Sequence, residues 1–189
     1  MAEFEFTLIL SGLTDFDDAM VDQLVEAGCD DATVAQRYGR VYITFARETS
    51  SHQEAILTAI RDIHRANIGA TVMRIEDCNL ITPAEIARRL GRSRQNLDQY
   101  IKGTRGPGGF PAPACNITEG APLYYWCEVA FWANLHDLLS DQANIQAQEI
   151  ATINTILELS HQQRIVPTIA EKLIREMQIC APIDCGPTS

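Results

Sequence analysis

Phe4, Phe6, Leu8 and Leu10 alternate with Glu5, Thr7 and Ile9, the two-residue period of a strand with one well-buried face, and Gly12 stops the run. Phe16, Met20 and Leu24 then recur at helical spacing, with Asp17, Asp18 and Asp22 near the start where negative charge suits a helix dipole, so a helix is predicted up to Ala27-Gly28. Thr33 to Tyr38 and Arg40 to Arg47 are β-prone runs on either side of Gly39, and Val41, Ile43 and Phe45 share one face, which predicts a hairpin. Ser51 with Glu54 three residues on marks a second helix start. Its apolar stripe of Ile56, Ile60 and Ile63, with Ala55 and Ala59, runs to Asn67-Ile68-Gly69, and Ala70 to Ile75 predicts a fourth strand.

The predicted order β-α-β-β-α-β over residues 3–77 resembles a ferredoxin-like split βαβ sandwich with an antiparallel sheet. The resemblance is one of topology and implies a fold rather than an activity; such domains dimerise or bind small ligands, and the pattern does not select between these.

A third apolar pattern opens at residue 79. Thr82-Pro83-Ala84-Glu85 combines a cap, a proline at the first helical position and a Glu three residues after the cap, both ends of a capping box. Ile86, Ala87 and Leu90 form the stripe of this helix before Gly91, and Ser93 caps another that runs through Leu97, Tyr100 and Ile101 to Gly103. Two short helices around the Gly91-Arg92-Ser93 turn predict a helix-turn-helix. The loop-forming stretch from Gly103 to Pro113 follows, then Ala114 to Thr118, a Glu119-Gly120 turn and Leu123 to Trp126, together predicting a β-hairpin wing. From Leu138 the pattern is helical to about Ile165, carried by Ile145, Ile150, Ile153, Ile156 and Leu157, and Pro167 interrupts or restarts it. A last helix from Thr168 carries Ile169, Leu173, Ile174 and Met177, and the tail from Cys180 frays. These helices either cover the N-terminal sheet or pair with those of a second chain.

Charge changes the picture. The chain of 189 residues has a net charge of −10, which on its own disfavours an approach to phosphate. Its distribution is uneven: residues 1–79 hold 6 Lys and Arg against 14 Asp and Glu, residues 80–115 hold 6 against 2, and residues 116–189 hold 3 against 9. One cationic island of Arg88, Arg89, Arg92, Arg94, Lys102 and Arg105 thus coincides with the predicted helix-turn-helix. Arg92, Arg94, Gln95, Asn96 and Gln99 sit where the second helix would present base-reading side chains, since Arg pairs bidentately with guanine and Gln or Asn with adenine. Ser93, Tyr100, Arg88, Lys102 and Arg105 complete the expected DNA-binding set, Arg88 and Lys102 as phosphate contacts.

The series Ile81-Thr82-Pro83-Ala84-Glu85-Ile86-Ala87-Arg88-Arg89-Leu90-Gly91, then Ser93-Arg94-Gln95-Asn96-Leu97, Phe110-Pro111-Ala112-Pro113, and Leu123-Tyr124-Tyr125-Trp126 with Val129 and Trp132, resembles the winged helix-turn-helix of MerR-like and excisionase (AlpA-type) DNA-binding proteins, over roughly residues 79–139. The resemblance implies that the Phe-Pro-x-Pro segment leads into the wing and that Trp126, Val129 and Trp132 are core residues. The chain departs from that family in its longer Gly-rich approach, Gly103 to Gly109, which leaves open whether Arg105 reaches the minor groove, touches phosphate or is mobile.

Enzyme chemistry is not signalled. His52, His64, His136 and His161 are isolated, and Asp17-Asp18 and Asp30-Asp31 occupy helix-start and turn positions. Six cysteines, Cys29, Cys78, Cys115, Cys127, Cys180 and Cys185, lack any Cys-x-x-Cys pair, so no zinc site or disulfide framework is expected and they read as reduced, mostly buried apolar groups. No nucleotide loop of the Gly-x-x-x-x-Gly-Lys type occurs, and no cofactor or metal is expected. With no long apolar run and an acidic amino terminus, the expected location is the cytoplasm, with no membrane partner.

The expected fold class is therefore α+β, divided into a ferredoxin-like domain (1–78), a winged helix-turn-helix (79–139), a helical oligomerisation or packing segment (140–180) and a tail (181–189). The expected function is a sequence-specific double-stranded DNA-binding regulator, a repressor or autoregulator acting as a homodimer or higher oligomer. The alternative is an antitoxin-type protein whose acidic domains neutralise a protein partner while the central domain represses its own operon.

Overall fold

The computed structural model describes residues 1–177; the expected tail at 181–189, and Cys180 and Cys185 with it, lie outside the described residues. The alternation starting at Phe4 forms β1 (Ala2–Ser11), and α1 (Asp18–Glu26) follows. That helix begins two residues after Phe16, because the Asp17 carboxylate accepts the Met20 N–H at 2.9 Å and fixes the cap there. Next come β2 (Ala32–Arg37) and β3 (Arg40–Thr49). Between them Tyr38 and Gly39 both take positive φ, 52° and 72°, as a two-residue hairpin turn of the I′ type requires. Ser51 caps α2 (His52–Ala66), Asn67 closes it in the left-handed region, and β4 (Thr71–Ile75) completes the unit.

The four strands form one antiparallel sheet in the order β2-β3-β1-β4. Leu8, Leu10, Ile43, Phe45, Ile56 and Ile63 are fully buried between the sheet and α1 and α2. A charged side chain lies on this inner face. Arg47, at the end of β3, donates to both carboxylate oxygens of Asp31 (2.7 and 2.9 Å), to Asp62 (2.8 Å), to Thr58 (3.1 Å) and to the Gly28 carbonyl (2.9 Å). It therefore joins β3, the loop after α1 and the middle of α2. Beside it, burial, reinforced by the Asp62 charge, pushes the Cys29 thiol up to about 11.

The second core is built by β5 (Leu80–Ile81), α3 (Pro83–Arg89), α4 (Arg94–Ile101), β6 (Tyr124–Tyr125) and α5 (Trp126–Leu135), around Ile86, Leu97, Tyr124, Val129 and Trp132. One helix spans both cores. In α6 (Asp141–Ile165), Ile150, Ile153 and Leu157 pack on the sheet core, and Ala147 is buried in the second. Asn154, 4% exposed, lies against the open edge of β4: its Oδ1 accepts the Ile75 N–H at 2.7 Å, and its Nδ2 donates to the carbonyls of Ile75 (3.2 Å) and Asp77 (3.0 Å). The Asn79 side chain then caps α5 through the Cys127 N–H at 2.9 Å. The short connection between the units is held at both ends.

Past Ile165 the chain breaks at Val166 and continues as α7 (Pro167–Glu176), none of whose residues is buried. Pro167 restarts the helix at its first position, one residue before the expected start at Thr168. Among the described residues no helix is long and apolar enough to cross a membrane.

Replacing Asn154 with Ala removes three hydrogen bonds, two of them buried, and takes from the Ile75 N–H of β4 its acceptor, and should lower the unfolding free energy by about 2–4 kcal/mol in urea titration. A loss within about 0.5 kcal/mol would show that the edge does not depend on this side chain.

Candidate nucleic-acid interface

The helix pair around Gly91 is defined by its ends. Thr82 caps α3 by accepting the Glu85 N–H at 3.3 Å. The Glu85 carboxylate does not return to the cap, as a capping box requires; it accepts from Arg88 and, at 2.9 Å, from Arg89 Nε. These bonds hold its carboxyl down at about 2, with Arg88 the larger cause. At the other end Arg92 N–H bonds the Ala87 carbonyl (2.8 Å) and Gly91 N–H bonds that of Arg88 (3.2 Å), a Schellman closure with Gly91 at φ 61°. The turn is at the surface, and nothing lies within 4 Å of where a Gly91 side chain would begin.

Ser93 then caps α4 by accepting the Asn96 N–H at 3.2 Å. Buried Leu97 fixes the roll of this helix, and Arg92, Ser93, Arg94 and Gln95 are exposed at its leading end. Asn96 is half-buried with its Oδ1 enclosed and unpartnered, so it differs from Gln95 in access. Gln99 and Tyr100 are half-buried too; the Gln99 carbonyl accepts from Thr104 N–H at 3.0 Å, and the Tyr100 ring lies 5.6 Å from that of Trp132.

The six cations of the island have different partners. Arg89 is structural: its side chain is 16% exposed, donates to Asp77 at 2.6 Å and Glu85 at 2.9 Å, and lies over the Trp126 ring at 5.0 Å. Arg88 pairs with Glu85, and Lys102 with Asp98 at 2.9 Å, both at the surface. Arg92, Arg94 and Arg105 form no ion pair among the described residues. Positive charge without an internal partner therefore gathers at the turn, at the start of α4 and on the loop after it.

That loop is tied down. Trp132 Nε1 donates to the Gly108 carbonyl at 2.8 Å, the Phe110 ring meets Trp132 edge to face at 4.9 Å, and Gly106, at φ 92°, lies on the Tyr100 ring so closely that a Cβ would come within 2.5 Å of it. Trp126, Val129 and Trp132 are buried as expected, and Trp132 also anchors this strap.

The expected hairpin is much reduced. Cys115 and Leu123 make a single bridge, Tyr124-Tyr125 pair with Leu80-Ile81 instead, and Trp126 already belongs to α5. Pro111, Pro113 and Pro122 have no N–H to give a longer ladder, and Asn116 takes the left-handed conformation. Of the four described cysteines, all free, only Cys29 is fully buried and Cys78 is exposed, so the expectation that most are buried does not hold for these. His52 lies 3.5 Å from Glu149, but among the described residues no group of three or more His, Cys, Asp or Glu could hold a metal ion.

The Glu85 clasp has a pH signature. A depressed carboxyl contributes its ion pairing above the ordinary range near 4.5 and loses it as pH falls through about 2, so NMR titration of the Glu85 carboxyl carbon should show a midpoint near 2. A midpoint at 4.5 would mean that the clasp does not form in solution.

Compared with models of protein families, with curated proteins and with solved structures, the chain matches none.

Proposed function

We propose that this chain is a sequence-specific double-stranded DNA-binding regulator, a repressor of its own gene, in which α3 and α4 form a helix-turn-helix and α4 enters the major groove. The observation that carries this reading is the unpaired cationic turn: Arg92 and Arg94 flank the Ser93 cap, are exposed, and have no carboxylate partner among the described residues of a chain rich in carboxylates. Ser93 and Gln95 are exposed beside them and supply hydrogen-bonding groups at the leading turn, where base edges are read. In this reading Arg105, at the start of the strap, contacts phosphate, as do Arg88 and Lys102 once released from their surface carboxylates. The single Cys115–Leu123 bridge and its loop stand in the place of a wing. The order βαββαβ with sheet order β2-β3-β1-β4 supports a ferredoxin-like sandwich as the N-terminal domain.

The DNA-reading unit works as a pair. In α6, Ile145, Ile156 and Leu159 are exposed on the side opposite Ile150, Asn154 and Leu157, so the helix is apolar on two faces and the body covers one. Val166, Ile169, Leu173 and Met177 continue exposed along α7, whose charges are balanced: Glu171 and Glu176 against Lys172 and Arg175. A mixed-sign apolar surface complements a copy of itself, whereas a basic protein partner, as in an antitoxin pair, calls for an acidic one.

DNA from the region upstream of its own gene should be bound with protection of a symmetric site. Gln95→Ala should lose about 1–3 kcal/mol there and little on random DNA, while Lys102→Ala should weaken both and lower the salt slope by about 1. Equal losses on every sequence from both changes would remove the base-reading role of α4.

Sedimentation should give twice the 21.0 kDa of one chain, with Leu173→Glu shifting it to a monomer whose circular dichroism retains the folded body. A wild-type monomer at about 100 μM would rule out pairing through this surface.

A further inference from the structure

Two apolar stripes are left largely uncovered towards opposite ends of α6. The first is on α5, where Cys127, Phe131 and Leu135 recur every four residues, Phe131 54% and Leu135 63% exposed. With Gln148 of α6 on one side and Gly109 and Pro111 of the strap on the other, they line a groove of about 460 Å³. Its walls are fixed in advance. Trp132 Nε1 holds the strap through the Gly108 carbonyl at 2.8 Å, and Gln148 Nε2 donates to the Cys127 carbonyl at 2.7 Å. Of the residues lining the groove only Glu128 is charged, and it forms no ion pair among the described residues.

The second stripe is on α7. Ile169, Leu173 and Met177 recur at the same spacing, all exposed, and no residue of that helix is buried. Its first turn holds no acid, and Lys172 and Arg175 stand on either side of Leu173 in sequence. Each stripe spans about 12 Å at the rise of an α-helix, so one can lie along the other with three apolar side chains facing three. The charges agree as well: the rim of the groove is acidic, and the flank of the α7 stripe carries cations.

Within one chain the two stripes do not meet. From Gln148, at the groove, to Ile165 is about 26 Å of helix, whereas α7 folded fully back along α6 covers about 15 Å of that length. A second copy is not bound by this limit. We propose that the α5 groove of each chain is filled by α7 of another copy, reciprocally, so that two grooves and two helices close a two-fold dimer. Glu128 meets the partner's Lys172, and the incoming helix rests on the strap that carries Arg105. This deepens the pairing read above and rests on it, naming α5 rather than α7 as the surface that receives α7.

The test uses two exposed substitutions in the full chain: Phe131→Glu spoils the groove and leaves α7 intact, and Leu173→Glu does the reverse. By sedimentation each variant alone should dimerise at least about tenfold more weakly than the wild type, with an unchanged circular dichroism spectrum. An equimolar mixture should regain dimer at a concentration where both variants alone are monomers, because the mixed pair keeps one groove and one helix that match. Leu135→Glu takes the place of Phe131→Glu if that change alters the spectrum. A dimer that survives the groove substitution, or a mixture that stays monomeric, would overturn the exchange and leave pairing through α7 itself standing. A monomeric wild type would remove pairing and exchange together. No DNA is present, so failure of the DNA-binding reading leaves the result unaffected.

Discussion

A sheet edge exposes a row of backbone donors and acceptors that must find partners, and in this chain the end of β4's outer edge finds them in the side chain of Asn154, with Arg74 also donating to the Ile75 carbonyl. Asn154 offers an acceptor and two donors in the geometry a neighbouring strand would use, and meets the N–H and C=O of Ile75 and the carbonyl of Asp77. The consequence reaches beyond the edge. The same helix carries Ile150 and Leu157 onto the sheet core and Ala147 into the second, so the position of the helix pair relative to the sheet follows from where Asn154 docks.

Arg47 plays a comparable part inside the sheet unit. A buried guanidinium is tolerated only when its donors are met, and Asp31, Asp62, Thr58 and the Gly28 carbonyl meet them. The arrangement fixes the loop after α1 against α2 by direction as well as by contact, which apolar packing alone does not do. The positive charge at Arg92 and Arg94 is the opposite case: exposed, and without an ion-pair partner among the described residues.

Much of this architecture was legible in the chain because its signals are local. The period-two run from Phe4 to Leu10, the caps at Ser51, Thr82 and Ser93, and the glycines at 39 and 91 each act within a few residues, and the predicted elements from β1 to α4 are present, with α1 starting two residues late. What the sequence hid depends on distant partners. Arg47 reads as a polar strand residue until Asp31 and Asp62 are beside it, and Asn154 as a solvent-facing helix residue until β4 is. Arg89 reads as one more cation of the island, yet Asp77 and the Trp126 ring withdraw it from the surface. The expected hairpin failed for a local reason that was present in the sequence: Pro113 and Pro122 flank it and cannot donate to a ladder. Asn96 and Gln95, alike in chemistry and adjacent in sequence, part company because buried Leu97 sets the roll of α4.

The glycine-rich loop after α4 shows what one indole N–H can do. Seven residues with four glycines in left-handed conformations would ordinarily sample a wide ensemble, and most of that freedom would have to be surrendered whenever Arg105 met a ligand. The bond from Trp132 to Gly108, with Gly106 seated on Tyr100, surrenders it during folding instead. The backbone of this loop is thereby preorganised: its entropy of ordering is met during folding, and Arg105 is carried on a settled stretch of chain.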